Sequence, residues 1–238
     1  MPGLVELAST RPAFNAGGKT FTFDVAGLGA VKGQLVVAIA AYDAADGFAA
    51  VAGWSTLVAF VGTAKIAVLA RMVDDDEPDQ LVLALTLAAK DWLGAAILYA
   101  PGSPVVALEA SAGGNFAADA TPPVPDVSSQ QAINLRLGVW SVAGAIALSA
   151  PAGWTAIDTY STAIATARSI LVAQVVAGAT GALGSVDATA GAAATGSGLS
   201  VVLRDRYPIK PAALFDPIPG NIGLLGQDVR PPREAGLP

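Results

Sequence analysis

The 238-residue chain contains no histidine and no cysteine. Without cysteine it can form no disulfide, no thiolate nucleophile and no sulfur ligand. Without histidine it has no imidazole base, so a Ser-His-Asp triad and the Cys/His zinc sites are closed to it. Charge is scarce as well: Asp, Glu, Lys and Arg make up 13% of the residues, and the balance is acidic at −6. Duplex binding depends on clustered Lys and Arg that neutralise phosphates. The 13 basic residues here are dispersed, so nucleic acid is not an expected partner. Aromatics are few, at 6% against 53% hydrophobic residues overall, and the excess is Ala and Val. Side chains that small suit thin, closely packed layers, and a surface poor in charge suits burial against neighbouring subunits. No stretch approaches the ~20 apolar residues of a membrane helix. The opening MPGLVELASTRP has no basic flank leading into an apolar run. Membrane insertion and a secretory signal are therefore not expected, and synthesis in a cytoplasm is.

What the chain does contain is a series of short strand patterns. Residues 1–19 read as an N-terminal arm broken by Pro2, Pro12 and Gly17-Gly18. KTFTFDV (19–25) alternates, QLVVAIAAY (34–42) is apolar on both faces, and WSTLVAFV (54–61) follows a loop. AKIAVLARMV (64–73) places Ala64, Ile66, Val68, Ala70 and Met72 on one face and Lys65 and Arg71 on the other. DDDEPD (74–79) reads as a turn, and QLVLALTL (80–87) and WLGAAILYA (92–100) close the half.

The same order then returns. VAGWSTLVAF (51–60) has its counterpart in PAGWTAIDTY (151–160), so two of the four tryptophans share an Ala-Gly-Trp-Ser/Thr frame. Residues 131–140 take the role of 34–42, and 163–176 the role of 64–73, with Arg168 near the position of Lys65. Segment 163–176 also fits a helical stripe through Ile164, Ala167, Leu171 and Val175, and the repeat decides for strand. AGATG (177–181), GSVDATA (184–190) and GLSVVLRD (198–205) complete the second half. The expected fold is an all-β, jelly-roll-like sandwich of residues 20–206. Its pseudo-repeated halves, 20–100 and 127–206, are joined by a Pro/Gly-rich crossover at 101–126. A single sandwich is favoured over two small ones because neither half has enough bulky apolar residues for its own core. Trp54 and Trp154 are expected at related positions, closing the ends of that shared core.

Residues 207–238 form a second arm, with prolines at 208, 211, 217, 219, 231 and 232 that exclude a helix and a central strand. It still carries Leu214, Phe215, Ile218, Ile222, Leu224 and Leu225, which points to docking either back on its own domain or on a neighbouring subunit, the neighbour being favoured.

Sites for chemistry are sparse. Asp74, Asp76 and Asp79 have the oxygens a Ca²⁺ ion wants, but the spacing is not that of an EF-hand and reads as a solvated turn. GLGAVKG (27–33) matches neither the dinucleotide fingerprint nor a Walker loop. The four glutamates, Glu6, Glu77, Glu109 and Glu234, single out no carboxylate pair for glycoside hydrolysis. No catalytic residue, metal ligand or cofactor is expected. Trp92, with Asp91, Asp43 and Asp46 in nearby loops, is the candidate for glycan contact.

The succession VKGQLVVAIAAY, GWSTLVAF, AKIAVLARMVDDDEPDQLVLALTL and AAILYAPGSP resembles a β-sandwich module of tailed-phage and prophage virion proteins of the tail-tip, fibre or capsid-decoration type. The second half carries that module's PAGWT (151–155), AGATG (177–181) and closing strand LSVVLRD (199–205). The likeness covers roughly residues 20–205. It departs at YAPGSP, which lacks the module's Arg-Gly, and at Gln34, where Asp is commoner. The resemblance implies a non-enzymatic virion component. Its partners would be other virion proteins, copies of itself and, in a receptor-binding role, a host surface glycan.

Overall fold

The computed structural model describes residues 5–10, 20–24, 26–43, 53–73, 80–84, 92–100, 105–161 and 168–206, all within the unit Met1–Tyr207. Apart from a 3-10 turn at Ala26–Leu28, every described element is a strand. The first half contributes β1 (Val5–Thr10), β2 (Thr20–Asp24), β3 (Leu35–Asp43), β4 (Ser55–Val61), β5 (Ala64–Met72), β6 (Gln80–Ala84) and β7 (Trp92–Ala100). The second contributes β8 (Val105–Asp119), β9 (Pro123–Val124), β10 (Ser128–Ser129), β11 (Leu135–Ala143), β12 (Leu148–Ser149), β13 (Thr155–Ser161), β14 (Arg168–Val176), β15 (Gly181–Ala182), β16 (Val186–Asp187), β17 (Thr189–Ala190) and β18 (Ala194–Arg206).

Two five-stranded antiparallel sheets form the sandwich, in the orders β1-β7-β3-β5-β4 and β8-β18-β11-β14-β13. These are one topology built twice. Leu35 lies between Met72 and Tyr99, and Leu135 between Val176 and Leu203. The irregularities repeat too. A bulge lies between Thr56 and Val58 and another between Ala156 and Asp158. The edge strands β1 and β8 slip at equivalent points, between Glu6 and Ala8 and opposite Val202/Leu203, and β8 slips again opposite Ala194/Gly196. A bulge bends its strand at a chosen point, so shared bulges mean shared curvature, and the two sheets fit face to face.

The β3 run is apolar on both faces because both faces are covered. Leu35, Val37, Ile39 and Ala41 point to the second sheet, where Leu135, Leu137, Val139, Leu199, Val201 and Leu203 meet them in one core. Val36, Ala38, Ala40 and Tyr42 point outward, under Leu28, Ala30 and Trp54. On the second sheet the outward set includes Trp140 and Val142, covered by Val124, Leu148 and Ala190 from the short strands and by Ala188 between β16 and β17. Each half thus supplies one wall of the shared core, which is why neither holds a bulky centre alone. A Leu- or Ile-to-Ala change there is expected to cost roughly 2–5 kcal/mol.

Several expectations are corrected in detail. The expected all-β sandwich is present, and among the described strands none of either half enters the other half's five-stranded sheet. Part of the presumed N-terminal arm is β1, paired with β7 at the sheet edge; Pro2 and Pro12 bracket this strand and do not interrupt it. The presumed crossover 101–126 contains β8, the second half's counterpart of β1. The repeat aligns Leu35 with Leu135, three residues away from the alignment that starts 34–42 at 131, and sets Arg168 at the place of Ala64 while Ser169 takes that of Lys65. Trp54 and Trp154 do occupy related positions, but they pack on the outer faces of their sheets and not in the shared core. Residues 184–190 form two two-residue strands, β16 and β17. The acidic turn 74–79 and the C-terminal segment 207–238 lie outside the described residues.

Candidate functional site

The sandwich has two seams, where the edge of one sheet meets the other sheet, and the repeat makes them topologically equivalent. Their chemistry differs. At the first seam Glu6 of β1 and Tyr99 of β7 meet Gln174 of β14. The Gln174 amide nitrogen donates to Glu6 Oε2 at 2.6 Å, and the Tyr99 hydroxyl donates to Gln174 Oε1 at 2.8 Å. Burial raises the Glu6 carboxyl above its ordinary value, opposed by the hydrogen bonds from Gln174 and Ser9. Burial, with the Glu6 charge second, pushes the Tyr99 phenol well above its usual range. At the second seam the corresponding residues are Leu108, Leu203 and Ala70, all apolar and all packed in the shared core.

The second seam is closed at one end by a polar clamp on the turn between β4 and β5. Asn115 Oδ1 accepts from the Thr63 backbone N–H at 2.8 Å, and Ser197 Oγ accepts from Ala64 N–H at 2.9 Å. Ser197 Oγ also donates to Asn115 Oδ1 at 2.8 Å. Phe60 of β4 lies flat on Gly113 of β8, where a Cβ would come within 2.2 Å of the ring. Gly62 is equally confined, since a Cβ there would approach Asn115 Oδ1 to 2.1 Å. Elsewhere along this seam, Leu57, Phe60 and Leu108 remain only partly buried.

The outer face of the second sheet is pinned by Arg136, the counterpart of Val36 in the first half. The residue is 2% exposed. Nε donates to Ser200 Oγ at 2.9 Å, Nη1 to the Leu183 carbonyl at 3.2 Å, and Nη2 to the carbonyls of Pro125 at 3.1 Å and Gly184 at 2.8 Å. It also lies 5.4 Å from the Trp154 ring centroid, and Trp154 meets Trp140 edge-on at 5.9 Å. Burial lowers the Arg136 pKa, and the charge of Asp126 opposes that shift. Asp126 itself accepts from Gly184 N–H at 2.7 Å. One side chain thereby fastens two connections, 120–134 and 177–193, over the sheet. Glu109 secures the same region from β8, accepting from Gln130 N–H at 2.5 Å and Asn134 Nδ2 at 2.6 Å.

Of the residues singled out for glycan contact, Trp92 begins β7 directly opposite Tyr42, and Asp43 ends β3 on the neighbouring strand. Both positions therefore lie at one end of the first sheet, one residue out of register with each other. Asp46 and Asp91 lie outside the described residues, as do Leu214, Phe215, Ile218, Ile222, Leu224 and Leu225. Among the described residues no group of three or more Asp or Glu side chains is placed to hold a metal ion. No described helix is long and apolar enough to cross a membrane. The residues that sequence reasoning missed are Glu6, Gln174, Asn115 and Arg136. Only Arg136 left a signal, as a charge inside an apolar strand. Comparison of the chain with known protein families, curated proteins and solved structures finds no match.

Proposed function

We propose that the protein is an architectural component of a tailed-phage or phage-like particle, displayed on the tail tip or capsid exterior and joined to neighbouring subunits through its terminal segments. The observation that carries this reading is how the described polar side chains are used. Arg136, Glu109, Asn115, Ser197 and Glu6 are all bonded within the chain, holding sheets and connections together. A rigid body of this kind offers edges and termini to partners, as closed symmetric assemblies require. The order of motifs shared with virion sandwich modules supports the same reading, and so does the charge-poor surface.

Deleting 207–238 tests it. The truncated chain is expected to keep its β-type circular dichroism and to be missing from purified particles. Recovery of the truncated chain in particles at the full-length level would refute the reading.

A second reading, host-glycan recognition, draws on the placement of Trp92 and Asp43 on adjacent strands. It predicts glycan-array binding that is lost in Trp92→Ala; an array without signal for the unaltered protein removes it.

A further inference from the structure

We propose that the outer edge of β8 is a strand-addition site whose occupant is the proline-free stretch 220–230 of a second copy of this chain. The proposal rests on the reading above that the C-terminal segment engages neighbours, and it names where.

β8 differs from the other three sheet edges. It has 15 residues, against six in β1 and seven each in β4 and β13. At ~3.3 Å per residue it presents an edge of about 50 Å. Its described partner is β18 alone, so its other side offers a row of backbone N–H and C=O groups. Proteins usually blunt such an edge with Lys, Pro, bulges or inward charges. The sequence VVALEASAGGNFAAD has no Lys, Arg or Pro. Its two acids are turned to other tasks, Glu109 to Gln130 and Asn134, and Asp119 to the Thr121 amide and hydroxyl. Its irregularities fall toward the ends, which leaves Ala110–Phe116 in unbroken one-to-one register with β18.

The side of this edge that faces the first sheet is apolar and incompletely covered. Leu57, Phe60 and Leu108 lie at the same seam, partly buried, and Ser111 beside them is exposed. A strand added to β8 would extend the second sheet by one position and set alternate side chains over that fringe.

The C-terminal segment has the matching composition. Between Pro219 and Pro231 it reads GNIGLLGQDVR, with no proline to interrupt a backbone ladder and with Ile222 and Leu224 two apart, the spacing that would share one face of an added strand. The thirteen residues 207–219 contain four prolines and in a polyproline conformation span ~40 Å. That reach suits delivery to another molecule.

The absence of native cysteine makes the test direct. Chains carrying Ser111→Cys are mixed with tagged chains carrying one cysteine at each position from 221 to 228 in turn, and oxidised. Cross-strand neighbours have Cβ atoms ~5 Å apart, within disulfide reach. The expected result is mixed disulfide dimers whose yield alternates along the scan, with maxima at 222 and 224. The maxima should stand roughly tenfold above an Ala59→Cys control on the β4 edge, as proximity in a complex provides. A flat scan at the control level overturns the proposal. Linkage confined to a single chain bearing Ser111→Cys with Leu224→Cys shows that the chain's own segment fills the edge, and predominant Ser111→Cys self-linkage shows β8 pairing with itself; either result also overturns it. Arm cysteines that link to Ala59→Cys and not to Ser111→Cys reject β8 while leaving an arm that engages neighbours. No linkage at either site, with a chain that stays monomeric in light scattering, rejects both.

Discussion

Arg136 offers the sharpest test of how the second half is held together. Its guanidinium gives four hydrogen bonds, three of them to carbonyls of Pro125, Leu183 and Gly184 in the covering connections. Substitution by Val, the residue at the same place in the first half, removes a buried charge and leaves those acceptors behind. Breaking a buried charged network by removing one partner costs roughly 3–5 kcal/mol. Gly184 is exposed and Leu183 and Pro125 are half-buried, so water relieves part of the loss and the low end applies, about 3 kcal/mol. With a urea m-value of ~2–3 kcal/mol/M, the midpoint should fall by about 1–1.5 M. Arg136→Lys should recover little, because an ammonium cannot reach four acceptors spread over a planar fork. Hydrogen exchange should locate the damage: amides in 120–134 and 177–193 lose protection while β3 and β5 keep theirs. A loss below about 1 kcal/mol would refute the reasoning, and so would protection lost evenly across both halves.

Two further outcomes follow from the seams. Because burial raises the folded-state pKa of Glu6 above its ordinary value, the folded chain holds a proton that the unfolded chain has released only at pH between the two values; the stability contribution is full below the unfolded value and is lost as pH rises through the folded one. Glu6→Gln, which imitates the protonated form, should therefore match the unaltered protein at acid pH and equal or exceed its stability at neutral pH, and a difference profile independent of pH would contradict this. At the second seam, Gly113→Ala should cost roughly 1–3 kcal/mol by driving a methyl into Phe60, with Phe60→Leu restoring part of the loss in the double variant; thermal unfolding of the four chains measures it.

The large elements were legible wherever burial is two-sided. QLVVAIAAY reads as a central strand because both of its faces are covered, and the Ala-rich stretch ending at Val176 was recovered as strand through its counterpart in the first half. The edges were not legible. β1 lies between two prolines that look like breakers, and β8 is rich in Ala and Gly because Phe60 packs on Gly113 and Pro125 lies near Gly114. A strand made small by its neighbours carries no propensity signal of its own. The Ala-Gly-Trp frame set the repeat correctly, while the choice of 131–140 as the first strand slipped by three residues because Gln34 and Gln131 are not equivalent. The polar seam was beyond sequence reading for a different reason: Glu6 and Gln174 are 168 residues apart, and nothing local marks either one.

Methyl-methyl nuclear Overhauser contacts in a selectively labelled full-length chain test the shared core most directly. Two halves that complete a single sandwich predict cross-peaks from Ile66 and Val68 on β5 to Leu199 and Val201 on the facing strand β18. Cross-peaks confined within each half, with none between Ile66 or Val68 and the second half, would mean two separate sandwiches and would contradict the account.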